Sequence, residues 1–325
     1  MVRTRCYRDG KLHREGFPIA EVSDFLEDPA CTIWFDLCQP DQAQLESLRD
    51  ELHLKLHHLA LEDVLQPGQR PKLDHYPEHL FVVVYSMFVD QATRRLDSHE
   101  VSVFVTRNAL VTVRADDGFD IDAVVRRWDD TVDLAAKGVP FLLHGLLDYV
   151  VDTHYDAMQE MDTAIDGLED LLFDDRMSDD QLQRRTFSIR KDLVAMRRLV
   201  LPMREVVNSL MRRDLEIVPP ELTPYFQDVY DHVLRVSEWT DSLRDLLANI
   251  LETRLTVRSN RLNVIMKKVT SWAAIIAVPT AVTGFYGQNL PYPGFQQWWG
   301  FWISTAVILS ASSVLYLIFK RKDWL

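Results

Sequence analysis

The chain has 325 residues, of which 47% are hydrophobic and 26% charged, and its formal net charge at pH 7 is -13. This length exceeds that of one small domain, and this balance is typical of a globular protein that carries a modest membrane part. The excess of acidic residues argues against nucleic acid as a partner, because phosphate binding requires clustered Lys and Arg.

The N-terminal segment and the cysteines indicate a reducing compartment. Residues 1–16 contain scattered Arg and Lys but no apolar run, so we expect no cleaved signal peptide. The chain has three cysteines, an odd number, and no two of them have the CxxC spacing; they are Cys6, Cys31 and Cys38. Reduced thiols are therefore expected rather than a disulfide framework or a thiolate metal site.

The first part of the chain predicts an α/β domain over residues 1–140. Four segments rich in β-branched and aromatic residues are expected to be strands, the last two of them paired across a short turn; they are residues 32–37, 80–85, 101–106 and 110–114. Residues 41–54 are expected to form a helix. Strands with continuous apolar runs indicate a buried central sheet with helices packed against it.

Two long segments of opposite charge predict a helical hairpin over residues 141–222. Residues 151–180 contain eleven acids and one base, whereas residues 184–213 contain nine bases and two acids. Opposite charges favour an antiparallel pair of helices. Two roles of the acidic helix stay open, namely a solvated face that stabilises the hairpin or a surface whose field concentrates cations.

A single long helix is predicted to begin at Thr223. This residue suits the N-cap and Pro224 the first helical position, and neither Gly nor Pro follows until Pro279. The stalk, residues 223–268, would continue into the next segment as one helix of roughly 60 residues, about 90 Å long. Because such a helix cannot bury itself alone, its apolar positions are expected to pack on copies of the chain; they are Val229, Val233, Val236, Leu243, Leu247 and Ile250.

Two uncharged apolar segments, residues 269–286 and 298–319, predict membrane-spanning helices. Each has about 18–22 residues and so extends roughly 27–33 Å, the thickness of a bilayer's hydrocarbon core. Basic residues precede the first segment, and three more begin the tail that follows the second segment, residues 320–325. The loop between the two segments, residues 287–297, is uncharged. The positive-inside rule then places both chain ends in the cytoplasm and only the loop outside. We expect a multi-pass protein of the cell membrane; the alternative is two buried core helices of a soluble protein.

One face of the long helix has polar residues that continue into a row of small residues. At 100° per residue, Glu252, Asn263 and Thr270 lie within about 20° of one another, and Met266 lies about 60° from Asn263. Ala277 extends this row into the membrane. A small-residue row indicates either tight helix packing or a water-filled axis among symmetric subunits, and the polar residues at its cytoplasmic end favour the axis.

The loop and its flanks resemble the CorA family of divalent-cation channels and transporters, whose loop motif is Gly-Met-Asn. Here Tyr286, Gly287, Gln288 and Asn289 follow a span that contains proline, a second span comes next, and the chain ends in Lys-Asp-Trp-Leu. The resemblance covers most of the chain and includes residues 34–37, 61–65, 69–72, 228–232 and 259–267.

The resemblance implies a funnel-shaped homopentamer whose first spans line one pore. Asn289 matches the loop asparagine, whose ring would meet the hydrated cation, and Gly287 and Gln288 complete this selectivity loop. An amide oxygen accepts hydrogen bonds from coordinated water without displacing it, which suits Mg²⁺ because this ion dehydrates reluctantly. Together with the row described above, the expected pore-lining and gate residues are Glu252, Asn263, Met266, Val269, Thr270, Ala277 and Thr280.

The resemblance also implies a regulatory cation site between subunits. Asp228 matches its stalk acid, and Asp90 is the expected partner acid. Asp228 lies 24 residues before Glu252 and hence about 120° from the pore row, as an intersubunit site requires. An ordinary salt bridge in the stalk is the alternative.

The expected function is passive uptake of divalent cations, with Mg²⁺ as the first candidate and Co²⁺ or Ni²⁺ as further ones. The membrane potential would drive uptake and intracellular cation would close the channel. Mg²⁺ is then both substrate and regulatory ligand, no organic cofactor is expected, and the remaining partners are membrane lipid and the other subunits.

Two other functions stay open at this point. Gln288 stands where the family motif has Met, and the loop has no carboxylate, so a ZntB-like Zn²⁺ transporter, possibly with proton coupling, shares the architecture. His53 and His57 have an i, i+4 spacing that can bind Zn²⁺, although packing or surface histidines are commoner. A membrane-tethered enzyme is the third candidate, but the α/β part has no Gly-rich phosphate loop or nucleophile elbow, so we expect no enzyme.

Overall fold

The computed structural model describes residues 2–18, 21–26, 28, 30–51, 56–131, 136–171, 179–212, 217–288, 291–292 and 294–325. The chain divides into two compact units, Met1–Ala248 and Asn249–Leu325. The first unit thus contains the predicted α/β segment, the predicted hairpin and the first part of the predicted stalk.

The first unit is built on one mixed sheet. Its strands among the described residues are β1 (Val2–Arg8), β2 (Lys11–Glu15), β3 (Cys31–Cys38), β4 (Lys72–His75), β5 (Leu80–Asp90), β6 (Arg95–Val105) and β7 (Ala109–Arg114). Their order is β2-β1-β3-β7-β6-β5-β4. Only the pairing of β3 with β7 is parallel within this described sheet.

The structure confirms the four strands predicted from continuous apolar runs: residues 32–37, 80–85 and 110–114 lie within β3, β5 and β7, and residues 101–106 end one residue beyond β6. The sequence pattern misses β1, β2 and β4. Strands β2 and β4 are the two edges of the sheet, and none of their residues is buried, so neither has an apolar run. Edge strands are recognised only by their pairing with a neighbour.

The described helices are α1 (Val22–Leu26), α2 (Gln42–Glu51), α3 (His58–Leu65), α4 (Ile121–Asp130), α5 (Val139–Asp170), α6 (Asp179–Leu210), α7 (Thr223–Tyr286) and α8 (Trp298–Arg321). Helix α2 lies within the predicted helix over residues 41–54, whose last residues fall outside the described ones. Helix α5 begins at Val139, two residues before the predicted start of the hairpin at residue 141. Its first three turns are almost wholly buried, so they lack the charged face that marks the rest of the helix.

Helices cover both faces of the sheet, as expected of the α/β class. Alternate residues of β5 point to opposite faces. Val82 and Val84 join a core cluster that includes residues of α4, α5, α6 and α7. Phe81 and Val83 join a second cluster that includes residues of α1, α2 and α3.

Helix α5 also completes the hydrogen bonding of β5. Strand β4 pairs with β5 only as far as Val83. Beyond it, the N–H of Met87 donates to Thr153 Oγ1 at 3.1 Å, and His154 Nε2 donates to the carbonyl of Tyr85 at 2.7 Å. Burial lowers the pKa of His154 to about 4, so the ring stays neutral. Beyond Val83, β5 has no neighbouring strand on its β4 side. Two side chains of α5 therefore satisfy backbone groups that this part of β5 would otherwise leave unpaired.

The first turns of α7 contradict one expectation. Phe226, Val229 and Val233 are fully buried in the core of the first unit, together with residues of α5 and α6. The expected packing on copies of the chain is therefore wrong for five positions of the first unit, because their own chain leaves each at most 3% exposed; they are Val229, Val233, Val236, Leu243 and Leu247. The spacing of apolar residues identified the buried face correctly but not the partner.

The second unit contains the remainder of α7 and all of α8. Every residue from 255 to 270 is exposed. In the most apolar 18-residue windows, 6% of the α7 residues and 0% of the α8 residues are buried. Both helices are long and apolar enough to cross a membrane. A core helix of a soluble protein would instead be mostly buried, which opposes that alternative.

Candidate cation pathway

The seven predicted pore residues all lie on α7, and each is exposed in the single chain. Asn263, Met266 and Thr270 line one groove of about 490 Å³, since spacings of three, four and seven residues fall on one side of a helix. Trp324, from the end of the chain, lines the same groove. The other predicted members, Glu252, Val269, Ala277 and Thr280, are not among the groove's lining residues.

Hydroxyl groups in the apolar part of α7 bond within the helix. Thr280 Oγ1 donates to the carbonyl of Ile276 at 3.2 Å, and Thr283 Oγ1 donates to that of Pro279 at 2.8 Å. Such bonds satisfy the hydroxyl proton where water is scarce. The oxygen of Thr280 keeps lone pairs that can accept a hydrogen bond from a hydrated ion.

Helix α7 ends at the predicted selectivity loop. The N–H of Gly287 donates to the carbonyl of Thr283 at 2.8 Å, and the N–H of Gln288 donates to the carbonyl of Phe285 at 3.3 Å. A Cβ at position 287 would lie 3.0 Å from the Thr283 oxygen, so a larger residue would strain this last turn. Asn289, the residue predicted to select the ion, lies outside the described residues.

An aromatic cluster at this loop was missed by sequence reasoning. The hydroxyl of Tyr292 donates to the carbonyl of Tyr286 at 3.0 Å. The Tyr292 ring also lies 5.0 Å from that of Tyr286 and 5.3 Å from that of Phe295, between ring centroids. The frequency of aromatic residues on both sides of the motif was the available signal.

The predicted regulatory acids make separate contacts in the single chain. Asp228 is 67% exposed, and its Oδ1 lies 3.9 Å from Nε2 of His232, one turn further along α7. Asp90 Oδ1 accepts the N–H groups of Ala92 at 2.7 Å and Thr93 at 3.3 Å. These backbone hydrogen bonds lower the pKa of Asp90. Within the described part of the chain, no group of three or more His, Cys, Asp or Glu side chains could hold a metal ion.

Only one of the two histidines whose spacing suggested Zn²⁺ lies among the described residues. His57 is the N-cap of α3, where its Nδ1 accepts the N–H of Leu59 at 3.4 Å. Its ring stacks on that of Tyr76, with 4.6 Å between centroids. His53 lies outside the described residues, so joint ligation of Zn²⁺ by the two histidines stays a prediction.

All three cysteines are free thiols. Cys6 and Cys31 are buried and Cys38 is half-buried. Burial and the neighbouring thiol of Cys31 raise the pKa of Cys6 to about 12. A thiol that stays protonated at neutral pH is a poor nucleophile and metal ligand.

The chain combines a mixed α/β unit with two helices long and apolar enough to cross a membrane, and the longer of these, α7, also has an exposed polar row. Together these features define a membrane protein with a candidate cation pathway. The sequence matches the family described as CorA-like Mg²⁺ transporter protein over residues 30–321. The chain belongs to this family and is a divalent-cation transporter. The family consists of transporters, which opposes the alternative of a membrane-tethered enzyme.

Individual relatives agree with this assignment. The cobalt/magnesium transport protein CorA of Thermotoga maritima is 31% identical over 273 residues, which are 83% of this chain and 77% of that protein. The structure of the CorA magnesium transporter from Methanocaldococcus jannaschii matches with a TM-score of 0.79 at 20% identity, covering 100% of this chain and 99% of that one.

The ZntB branch shares part of this fold. The cytoplasmic domain of ZntB from Vibrio parahaemolyticus matches 72% of this chain and 96% of that domain, with a TM-score of 0.59 and 12% identity. A likeness at this identity concerns the fold alone. It does not decide between Mg²⁺ and Zn²⁺.

Proposed function

We propose that this chain forms a homopentameric channel for passive entry of divalent cations, with Mg²⁺ as its main substrate. The observation that carries the proposal is the exposed row on α7. Asn263, Met266 and Thr270 line one groove together with Lys267, and their amide, thioether and hydroxyl groups can contact a hydrated ion without binding it as tightly as carboxylates would.

Assembly is supported by the exposure of α7 around that row. Leu255, Leu262 and Val264 are 68%, 54% and 48% exposed in the single chain, and they precede the predicted span. Apolar side chains on several sides of one helix require a cover. Further copies of α7 arranged around an axis would supply it, with the polar row facing the axis. Five is the number of subunits that the family resemblance implies.

The loop chemistry supports a hydrated substrate. Gly287, Gln288 and Asn289 offer backbone and amide dipoles but no charge, and a ring of such groups can accept hydrogen bonds from the water shell of Mg²⁺. Co²⁺ and Ni²⁺ are further candidates for the same mouth. No resident organic cofactor is needed for this chemistry.

The membrane potential is a sufficient driving force. At about -150 mV, inward movement of a dication releases about 7 kcal/mol. The orientation that this requires follows from Lys320 and Arg321 in the last turn of α8, which favour a cytoplasmic position. Both chain ends are then cytoplasmic, and residues 287–297 face outside.

The function is tested by flux into proteoliposomes under an imposed potential, with and without a pH gradient. We expect Mg²⁺ uptake that follows the potential and is indifferent to the pH gradient. Zn²⁺ uptake that requires the gradient, without Mg²⁺ uptake, would establish the ZntB-like alternative. An assembled protein that passes none of Mg²⁺, Co²⁺, Ni²⁺ and Zn²⁺ would refute a transport function.

Asp228→Ala is expected to keep the channel active at an intracellular Mg²⁺ concentration that closes the wild type. If a cytosolic cation bound at Asp228 and Asp90 offsets repulsion between subunits, loss of the acid weakens closure. The half-inhibiting concentration should rise at least about fivefold, the lower end of allosteric coupling. A dose–response measurement of inhibition checks this.

The matched control for that experiment is Asp245→Ala. Asp245 lies on the same helix, is 70% exposed and pairs with Arg244. The Asp245→Ala substitution removes the same charge at a position 17 residues from Asp228, about 100° around the helix. Equal inhibition of the Asp228→Ala channel and the wild type would exclude this acid as the main sensor.

The uncharged loop predicts weak dependence of cation capture on ionic strength. Carboxylates at the mouth would concentrate cations by a field that salt screens over about 8–10 Å, whereas amides supply only dipoles. Gln296→Glu should therefore lower the half-saturating Mg²⁺ concentration by roughly tenfold in low salt, and high salt should remove the gain. Gln296 is exposed, so the added charge meets solvent.

Flux measured against Mg²⁺ concentration in low and high salt tests this expectation. A steep loss of wild-type uptake with salt, combined with an unchanged half-saturating concentration in Gln296→Glu, would contradict it. The acidic first unit or bound lipid would then be the source of cation capture.

A further inference from the structure

The first unit has a cavity of about 240 Å³ at the carboxyl ends of β3 and β7, which form a parallel pair. Its lining includes Gln39 and Pro40, which follow β3, and Arg114, the last residue of β7. All of the lining residues belong to the described part of the chain. Ligands of α/β sheets bind in crevices beyond the carboxyl ends of parallel strands, so this position is typical of a binding site.

Glu100 brings a buried carboxylate to this cavity. The residue is 7% exposed, and its Oε2 accepts the N–H of Gly68 at 2.7 Å and the hydroxyl of Tyr85 at 2.6 Å. Burial, and next the hydrogen bond to this carboxylate, raise the pKa of Tyr85, so the phenol keeps its proton at neutral pH. These bonds leave Oε1 of Glu100 without a hydrogen-bond partner among the described residues.

The carboxylate of Glu100 also has no cationic partner within the described ranges of the chain. Arg114 lines the same cavity, but its guanidinium binds Asp36 through Nε at 3.1 Å and through Nη2 at 2.7 Å. A buried charge without a counter-ion is costly, so buried charges in proteins are generally paired. The cavity therefore carries one unbalanced negative charge, which a ligand with one positive charge would balance.

Ser102 supplies a second acceptor beside this carboxylate. It lies two residues after Glu100 on β6, so both side chains point to the same face of the sheet. Ser102 lines the cavity and is 3% exposed, and its hydroxyl makes no hydrogen bond to any residue that the structure describes. A hydroxyl oxygen has lone pairs that accept from an N–H donor. The two oxygens together suit a donor group with several protons.

Apolar walls favour an organic cation over a metal ion in this cavity. Val64 and Leu65 of α3 line one side, and Val113, the partner of Ser102 on β7, lines the sheet side. Mg²⁺ requires six oxygen ligands from protein and water, which these walls do not offer. The described residues also contain no group of three or more His, Cys, Asp or Glu side chains that could hold a metal.

We propose that this cavity binds a small organic monocation. An ammonium group of the ligand would donate to Oε1 of Glu100 and Oγ of Ser102, and a short apolar body would pack on Val64, Leu65 and Val113. The cavity is smaller than the range of about 300–1,000 Å³ that is typical of drug-sized ligands, so the ligand is smaller than these. The inference goes beyond cation transport, because the lining contains no residue of the proposed cation pathway.

The test uses cyclohexylmethylammonium as the probe. Cyclohexylmethanol has the same shape without the charge, and cyclohexanecarboxylate has the opposite charge. Binding to the full-length protein in detergent is measured by isothermal titration calorimetry, with a protein-free detergent blank that corrects for partition into micelles. We expect the ammonium to bind at least about tenfold more tightly than the alcohol, the size expected of hydrogen bonds to a charged group. The carboxylate should not bind.

Glu100→Gln tests the role of the charge. The amide keeps the shape of the side chain and an oxygen that can accept from Gly68 and Tyr85. We expect this variant to bind the ammonium and the alcohol equally, because the preference for ammonium depends on the carboxylate. Ser102→Ala removes only a hydroxyl, and the affinity for the ammonium should fall by about 3- to 10-fold, the size expected of one hydrogen bond.

Glu62→Gln is the matched control. Glu62 lies on α3, is exposed, and accepts Nε2 of Gln66 at 3.2 Å, but it does not line the cavity. The substitution removes the same charge from the helix that forms one wall. Its affinity for each compound should equal that of the wild type. A loss equal to that of Glu100→Gln would show a general effect of charge and overturn the proposed site.

Other outcomes would also overturn the proposal. They are absence of ammonium binding to the wild type, equal affinity of the wild type for ammonium and alcohol, and an unchanged preference in Glu100→Gln. Displacement of the ammonium by an equal concentration of Mg²⁺ would instead show a metal site. If the thermal midpoint shows that Glu100→Gln does not fold, Ser102→Ala decides, and a wild-type ammonium affinity in that variant would refute the site. Flux measurements test other residues, so failure here leaves the proposed function intact.

Discussion

Asn289→Ala is expected to abolish Mg²⁺ flux, to below the detection limit of a proteoliposome assay, while the pentamer still assembles. The substitution removes the amide ring that would accept hydrogen bonds from the water shell of the ion. Removal of a single buried or preorganised hydrogen-bonding group costs about 1–3 kcal/mol, and a symmetric ring loses several such groups at once. The side chain lies in the loop, so the apolar faces of α7 and α8 are unchanged.

Gln297→Ala is the control for this experiment. Gln297 is the N-cap residue of α8, and its side chain makes no cap hydrogen bond. The substitution therefore removes an amide from the same loop without removing a known contact, and flux should stay near the wild-type rate. Assembly of each variant is measured by size-exclusion chromatography in detergent. Wild-type flux in an assembled Asn289→Ala channel would refute the assignment of the selectivity loop.

Asp36→Ala is expected to lower the thermal midpoint of the first unit by about 6–20 °C. Asp36 has a fully buried side chain, and Arg114, 7% exposed, binds it through Nε at 3.1 Å and a terminal nitrogen at 2.7 Å. Thr112 Oγ1 also donates to Asp36 at 2.8 Å. Removing one partner leaves a buried charge without its counter-ion, which costs about 3–5 kcal/mol, or about 2–4 °C per kcal/mol in a unit of this size.

Asp122→Ala provides a comparison at the surface. Asp122 pairs with Arg3 at 2.6 Å, but their side chains are 58% and 30% exposed. Exposed pairs contribute about 0–1 kcal/mol, so its midpoint should fall by no more than about 4 °C. Unfolding of the full-length protein in detergent, followed by near-UV circular dichroism, measures both. Equal midpoints for Asp36→Ala and Asp122→Ala would show that the buried pair does not stabilise the fold.

The sequence by itself determined the features that depend on local pattern. An uncharged apolar run of membrane length is recognisable without any partner, and the bases that flank residues 269–286 and 298–319 predict its orientation. Continuous β-branched and aromatic runs likewise identified β3, β5, β6 and β7. The motif at residues 287–289 identified the family because its spacing between two spans is a property of the chain alone.

Only the tertiary structure decided what each face contacts. The spacing of Val229 and Val233 showed a buried face of α7, but the fold placed residues of α5 and α6, not another subunit, against it. Edge strands β2 and β4 have no apolar run and exist through pairing.

In the candidate site too, some features follow from the sequence pattern and others only from the tertiary structure. The polar row of α7 follows from helical periodicity, so Asn263, Met266 and Thr270 were found from their spacing. The bond from Tyr292 to Tyr286 joins groups six residues apart across a loop without periodicity, and the burial of Asp36 against Arg114 joins strands 78 residues apart. Contacts between elements depend on three-dimensional packing, which the local pattern of residues does not record.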